Sequence, residues 1–248
     1  MCGLTGIILG NNPRHVDDYE WLKEAFTETL LRSQARGPHA TGFAVIRRDG
    51  SYLLLKRPVP ATAFVRMEEY EDIMAELDGE VSIIMGHTRY RTIGSELKAH
   101  NNHPIRAGRI IGTHNGTIYN ASELAKAYNL SRYADVDSEV LFRMANKYRH
   151  PRVFNSKLKL LKGQMTAVMV NLNNPNRIRI YKGNKPLSMR MVDDMEAVFY
   201  ISDPQYFESI DFLGLPLRDY RFKPNRMIQI DAHKPLSLKV SPFSFQPE

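Results

Sequence analysis

The order of predicted elements points to an antiparallel α+β layered domain. Strands and helices come in blocks, the strands fall into hairpin pairs, and a regular β-α-β alternation is missing. The chain of 248 residues is 43% hydrophobic and 25% charged, which is enough apolar material for a substantial core. No linker, low-complexity segment or internal repeat interrupts it, so residues 1–248 read as one domain.

Leu4 to Leu9 is a short apolar run closed by Gly10-Asn11-Asn12-Pro13, the pattern of a buried strand ending in a turn. From Asp17 to about Gln34, Trp21, Leu22, Ala25, Phe26, Leu30 and Leu31 recur at helical spacing, with acids at the start and Gly37-Pro38 past the end. Phe43 to Ile46 and Tyr52 to Leu55 flank Asp49-Gly50, a hairpin signal. Met67 to Leu77 reads as an acidic helix and Val81 to Met85 as a buried strand. Thr88 to Arg109 is a long polar loop, a kind of segment that tends to carry function. Arg109 to Gly112 is a short strand entering His114-Asn115-Gly116-Thr117, and helices follow at Ser122 to Tyr128 and Asp137 to Tyr148. Met165 to Leu172 and Arg177 to Tyr181 make a hairpin around Asn173-Asn174-Pro175-Asn176. Strands at Leu187 to Val192, Ala197 to Ile201 and Arg226 to Ile230, with a short helix at Pro204 to Ile210, complete the order.

A single cysteine, Cys2, excludes an internal disulfide framework. The N-terminus lacks a signal-peptide pattern and no run reaches the roughly 20 apolar residues of a membrane span, so the expectation is a cytoplasmic protein without membrane association. The net charge of +7 would suit an anionic partner, but Lys and Arg are scattered among acidic residues, which argues against nucleic acid.

Cys2 is the first candidate for chemistry. Removal of Met1 would give one residue both a thiol and a free α-amino group, a nucleophile and its base. A cysteine ahead of an apolar run also suits a small buried residue of a first strand. Asn115 and the Gly116 N–H can converge on one oxygen as an oxyanion hole, although Asn-Gly equally suits a hairpin turn. In His87-Thr88-Arg89-Tyr90-Arg91-Thr92 an arginine can fork onto a carboxylate, and Asp137 at a helix start can hold an ammonium group. Together these two would grip an α-amino acid by its charged ends. His87, His100, His103 and His114 lack nearby cysteines or closely spaced acids, so neither a metal nor a cofactor is expected.

Taken in order, Cys2-Gly3-Leu4-Thr5-Gly6, Arg36-Gly37-Pro38-His39-Ala40-Thr41-Gly42, Gly86-His87-Thr88-Arg89-Tyr90, Thr92 and Gly94, Ala99-His100 to Pro104, His114-Asn115-Gly116-Thr117-Ile118 and Asp137-Ser138-Glu139-Val140 resemble the glutaminase domain of class II glutamine amidotransferases, N-terminal nucleophile hydrolases. The resemblance implies a four-layer αββα sandwich headed by Cys2. It implies Cys2 as nucleophile after Met1 removal, Asn115 and Gly116 as oxyanion donors, Arg89 on the α-carboxylate of L-glutamine and Asp137 on its α-amino group. Tyr90 and Thr92 fall in the substrate loop, Arg36 supports the Cys2 end, and His87 and His114 lie inside the motifs. His39 stands where the family has an acid after Arg-Gly-x, so the hydrogen bonding around Arg36 should differ. The implied reaction is hydrolysis of glutamine to glutamate and ammonia. With no acceptor domain visible in the sequence, a separate synthase protein is the expected recipient. Two other readings stay open: a γ-glutamyl amide hydrolase with a different substrate, and a non-catalytic relative that binds nucleic acid.

Overall fold

The structure, a computed structural model, describes residues 1–247. The elements run β1 (Gly3–Leu9), α1 (Val16–Ser33), β2 (Ala40–Arg47), β3 (Tyr52–Arg57), α2 (Ala61–Phe64), α3 (Glu68–Ala75), β4 (Val81–Arg89), β5 (Ile105–Ala107), β6 (Ile110–Ile118), α4 (Ala121–Ala127), α5 (Ser138–Lys147), α6 (Pro151–Leu158), β7 (Lys162–Asn171), β8 (Asn174–Lys182), β9 (Ser188–Val192), β10 (Ala197–Ile201), β11 (Leu217–Arg221), β12 (Arg226–Asp231), β13 (Lys239–Pro242) and β14 (Gln246–Pro247).

Among the described residues the strands form two sheets. The first has the order β11-β9-β10-β1-β4-β2-β3, with β1 between β10 and β4, and the second β13-β12-β8-β7-β6-β5. Pairing is antiparallel throughout, apart from the two residues of β14 beside β7. Side-chain alternation divides each sheet between two cores. On β1, Leu4 and Ile8 face the second sheet, where they meet Ile83 and Met85 of β4, Ile111 of β6 and Ile178 and Ile180 of β8. The opposite parity, Ile7 and Leu9, packs beneath Leu22, Phe26 and Leu30 of α1 and the aromatic group of Phe43, Phe64 and Tyr70. The outer face of the second sheet is covered by α4, α5 and α6 through Leu124, Leu141, Phe142, Phe154 and Leu158. The layers are therefore helix, sheet, sheet, helix, the expected α+β sandwich. No described helix is long and apolar enough to cross a membrane.

Local chemistry explains most boundaries. The His15 N–H donates to the Asp18 carboxylate (2.8 Å) at the start of α1, and Pro151 occupies the first turn of α6. Several expectations need correction. The strand expected to stop at Gly112 continues to Ile118, so Asn115-Gly116 is no hairpin turn. Both residues lie within β6, opposite Thr166 and Met165 of β7. The polar loop contains a 3-10 turn at Ala99–Asn101 and the short strand β5, and Pro204–Ser209 is a 3-10 helix. The sequence reading missed α2, β5, α6, β11, β13 and β14, most of them of five residues or fewer.

Candidate active site

The parity that sends Leu4 and Ile8 inward on β1 places Cys2 on the same face, just ahead of the strand. It likewise puts His87 and Arg89 of β4 on the inner face of the first sheet, and Thr113 and Asn115 of β6 on the inner face of the second. The two sheets thus turn Cys2 and Asn115 toward one another. An open cavity of about 210 Å³ lies there, lined by Met1, Cys2, Tyr90, Thr92, Asn115, Gly116, Thr117, Gln164 and Lys185.

Cys2 is held from two sides. Gly3 sits opposite Thr88, and a Cβ on it would fall 2.5 Å from the Thr88 hydroxyl and 2.8 Å from Ser33 Cβ, so only glycine lets α1 and β4 close around Cys2. Arg36, in the turn after α1, donates from Nε to the Cys2 carbonyl (3.1 Å). Cys2 Sγ lies 3.8 Å from the Tyr90 carbonyl as a weak donor. Burial pushes the thiol pKa up, opposed by the Tyr90 contact, the chain's terminal amine and the Arg89 guanidinium.

The side of the cavity formed by β6 is better defined. The Asn115 side-chain Nδ2 is buried and has no hydrogen-bond partner, although its residue lines the cavity. Gly116 has φ +146°, and a Cβ there would lie 1.9 Å from the Gln164 carbonyl, so this backbone is open only to glycine. A buried amide N–H without an acceptor costs folding free energy and is suited to receive charge that develops during a reaction.

Neutral histidines fix β6 in place. His87 Nε2 donates to the His114 carbonyl (3.1 Å), a bond from the first sheet to the second. Since a carbonyl only accepts, the proton is on Nε2. Burial lowers the pKa of His87 to about 3, so the ring stays neutral. His114 lies 3.3 Å from the Gln164 carbonyl through Nε2 and 2.8 Å from Ser138 Oγ through Nδ1. The carbonyl contact assigns the proton to Nε2, and the Ser138 hydroxyl then donates to Nδ1. The neighbouring Asp137 carboxylate accepts the Ile118 N–H, and Glu139 accepts from Ala134 N (2.8 Å) and Arg143. The Asp-Ser-Glu motif thereby ties the strand, the preceding loop and α5 together.

The structure brings Cys2, Tyr90, Thr92, Asn115 and Gly116 to one cavity, and places Arg89 and Asp137 behind its lining. Arg89 is 3% exposed, donating from Nη1 to Asn102 Oδ1 (2.8 Å) and from Nη2 to the Ile93 (2.7 Å) and Gly94 (2.8 Å) carbonyls. It therefore shapes the loop after β4 from within. His39 adds a second tether, its Nδ1 accepting the Arg91 N–H (3.0 Å) while its ring meets Tyr90 edge-on at 5.0 Å. The acid near Arg36 is instead Asp203, 3.9 Å away, just past β10. Sequence reasoning also missed Gln164 and Lys185, which reach the cavity through the pairing of β6 with β7 and the chain beyond β8. That pairing has no local signature. Among the described residues no group of three or more His, Cys, Asp or Glu is placed to hold a metal.

Behind the loop, Lys56 donates to the Asn102 carbonyl (2.9 Å), and burial lowers its pKa from 10.5 to about 8. Its charged form is penalised in the fold, so the cost is fully present below pH 8 and is relieved as pH rises toward the unfolded value. Between pH 7 and 11 the wild type should gain on the order of 3 kcal/mol relative to Lys56→Met. Chemical denaturation of both proteins across that range checks this, and a pH-independent difference would contradict it.

No family model matches the chain. It is 29% identical over 86% of its length to 7-cyano-7-deazaguanine synthase 2 of Sulfurisphaera tokodaii, of which it spans 45%. It is 26% identical over 93% of its length to 7-cyano-7-deazaguanine synthase of Sulfolobus acidocaldarius, spanning 48% of it. A glutamine–fructose-6-phosphate aminotransferase of Geobacillus kaustophilus is 27% identical over 80% of the chain, which spans 32% of that protein. The chain thus spans about half the length of the synthases it matches, or less for the aminotransferase. Among solved structures, glutamine phosphoribosylpyrophosphate amidotransferase from B. subtilis superposes with a TM-score of 0.71 at 20% identity, covering 98% of this chain and 49% of its own. The chain accordingly has the fold of that amidotransferase, and its sequence likeness runs to enzymes.

Proposed function

We propose that the chain is a glutaminase domain that hydrolyses L-glutamine through Cys2. The buried, unpartnered Asn115 amide beside the cysteine carries this reading. With Met1 removed, the Cys2 α-amine takes the thiol proton and the sulfur attacks the side-chain carboxamide carbon. The oxyanion is received by Asn115 Nδ2 and the Gly116 N–H. Collapse expels the nitrogen, which takes the proton back from the amine and leaves as ammonia. Water then hydrolyses the γ-glutamyl thioester, releasing glutamate and restoring the thiol. The α-carboxylate is drawn toward Arg89, whose remaining N–H donors complement those committed to the loop, and the α-amino group toward Asp137. Tyr90 and Thr92 close over the bound amino acid.

The ammonia passes to a synthase outside these residues. The matching enzymes have names denoting a cyano product and an amino transfer, both of which install nitrogen. Two measurements test the reading. Glutamine should be turned over faster than other γ-glutamyl amides, and preference for another amide would make the chain a hydrolase of that compound. Arg89→Ala should raise the KM for glutamine at least about tenfold, with a smaller fall in kcat. An unchanged KM removes Arg89 from the substrate clamp.

A further inference from the structure

At the end of β7 away from Cys2, a second cleft of about 650 Å³ is lined by Arg149, His150, Pro151, Arg152, Asn171, Asn174, Arg177 and Arg179. Gln164 borders the Cys2 cavity and Asn171 borders this cleft, so at about 3.3 Å per residue along β7 the two lie roughly 20 Å apart. We propose that the cleft is a binding site for a diphosphate or longer phosphate chain, distinct from the Cys2 site.

The placement follows from strand parity. On β8, Arg177, Arg179 and Tyr181 share the face opposite the inward Ile178 and Ile180, and Tyr181 meets Phe154 of α6 at 5.5 Å. The two arginines thus lie on the face that α6 covers. Arg149 and Arg152 flank the beginning of that helix, whose cap residue His150 makes no side-chain capping bond. The first-turn N–H groups and the positive end of the helix dipole add to the guanidinium charge.

The charge is not neutralised within the fold. Among the described residues none of the four arginines forms an ion pair. The acid opposite Arg177 across the sheet, Asp231, accepts the His233 N–H (3.0 Å). Arg179 Nε is buried and has no hydrogen-bond partner. Other arginines of this chain are matched, as Arg47 is with Asp78 and Arg190 with Asp219. Like charges gathered around a cleft whose lining holds no acid repel, and a multiply charged anion with closely spaced oxygens relieves this through contacts with the planar guanidinium forks. The cleft exceeds a single phosphate ion, which favours a chain of phosphates from a small molecule or a polynucleotide backbone.

Isothermal titration of the full chain with inorganic pyrophosphate at about 0.1 M salt tests the site. One saturable site is expected, weakened about tenfold by Arg152→Gln or Arg177→Gln, both exposed side chains whose loss leaves the fold intact, and unaffected by Arg57→Gln. Glutamine hydrolysis by these variants should match the wild type. The result therefore stands or falls independently of the Cys2 chemistry. In a parallel arm, a short RNA oligonucleotide displaced by pyrophosphate would identify a polynucleotide as the phosphate source, and pyrophosphate binding without RNA competition would identify a small molecule. Absence of saturable pyrophosphate binding, or equal binding by the arginine variants, overturns the proposal.

Discussion

Cys2→Ala loses glutamine hydrolysis by at least about 10⁴-fold while its melting temperature stays close to that of the wild type. The two outcomes separate because the thiol contributes little to packing. Cys2 is half-buried, and its sulfur makes a single long contact with the Tyr90 carbonyl. The methyl of alanine fills nearly the same space, so the expected stability change is within about 1 kcal/mol. An uncleavable N-terminal extension should have the same effect on activity by a different route. It keeps the sulfur but converts the α-amine into a peptide nitrogen that cannot carry the proton. It also keeps a side chain where Met1 Sδ now sits, 3.9 Å from Arg36 Nη2 and 4.0 Å from Lys185 Nζ at the cavity wall. Steady-state glutamate release together with thermal unfolding reads both effects, and activity in the extended protein would remove the amine from the mechanism.

Asn115→Ala lowers kcat by about 10²–10³ with little change in KM, because its amide meets the substrate oxygen fully only once that oxygen carries charge. The companion expectation concerns stability. The Asn115 Nδ2 is buried without a partner, so replacing it with a methyl should leave the protein as stable as the wild type or slightly more stable. A variant that lost activity only in proportion to lost folding would mark Asn115 as structural. Asn115→Asp serves as the sharper form, since a carboxylate at this place would repel the oxyanion.

How far the sequence was readable depended on whether a feature is local. β1, α1 and the β2–β3 hairpin show their period and turn residues within a few positions, and the structure places them within a few residues of the expected bounds. The Asn115-Gly116 pair misleads when read locally, because its turn signature is strong. What holds it in a strand is pairing with Thr166 and Met165, about 50 residues on, which no window around it contains. The same limit hid Asp203 near Arg36 and Lys185 beside the cavity. Arg89 shows a different limit. The strand before it was legible but was expected to stop at Met85, whereas β4 runs on to Arg89, and the commitment of Arg89 to Ile93, Gly94 and Asn102 depends on how the polar loop folds back. His39 was visible as a departure, and only the folded loop shows that it accepts the Arg91 N–H.

The proposed mechanism requires that Cys2 become the first residue and act as the nucleophile. Intact mass of the full chain before and after exposure to an electrophilic glutamine analogue tests both halves together. The expected result is a mass lacking Met1, a single adduct that maps to Cys2, protection by glutamine, and no adduct on Cys2→Ala. A chain that retains Met1 and still turns over glutamine, or an active chain left unlabelled at Cys2, would contradict it.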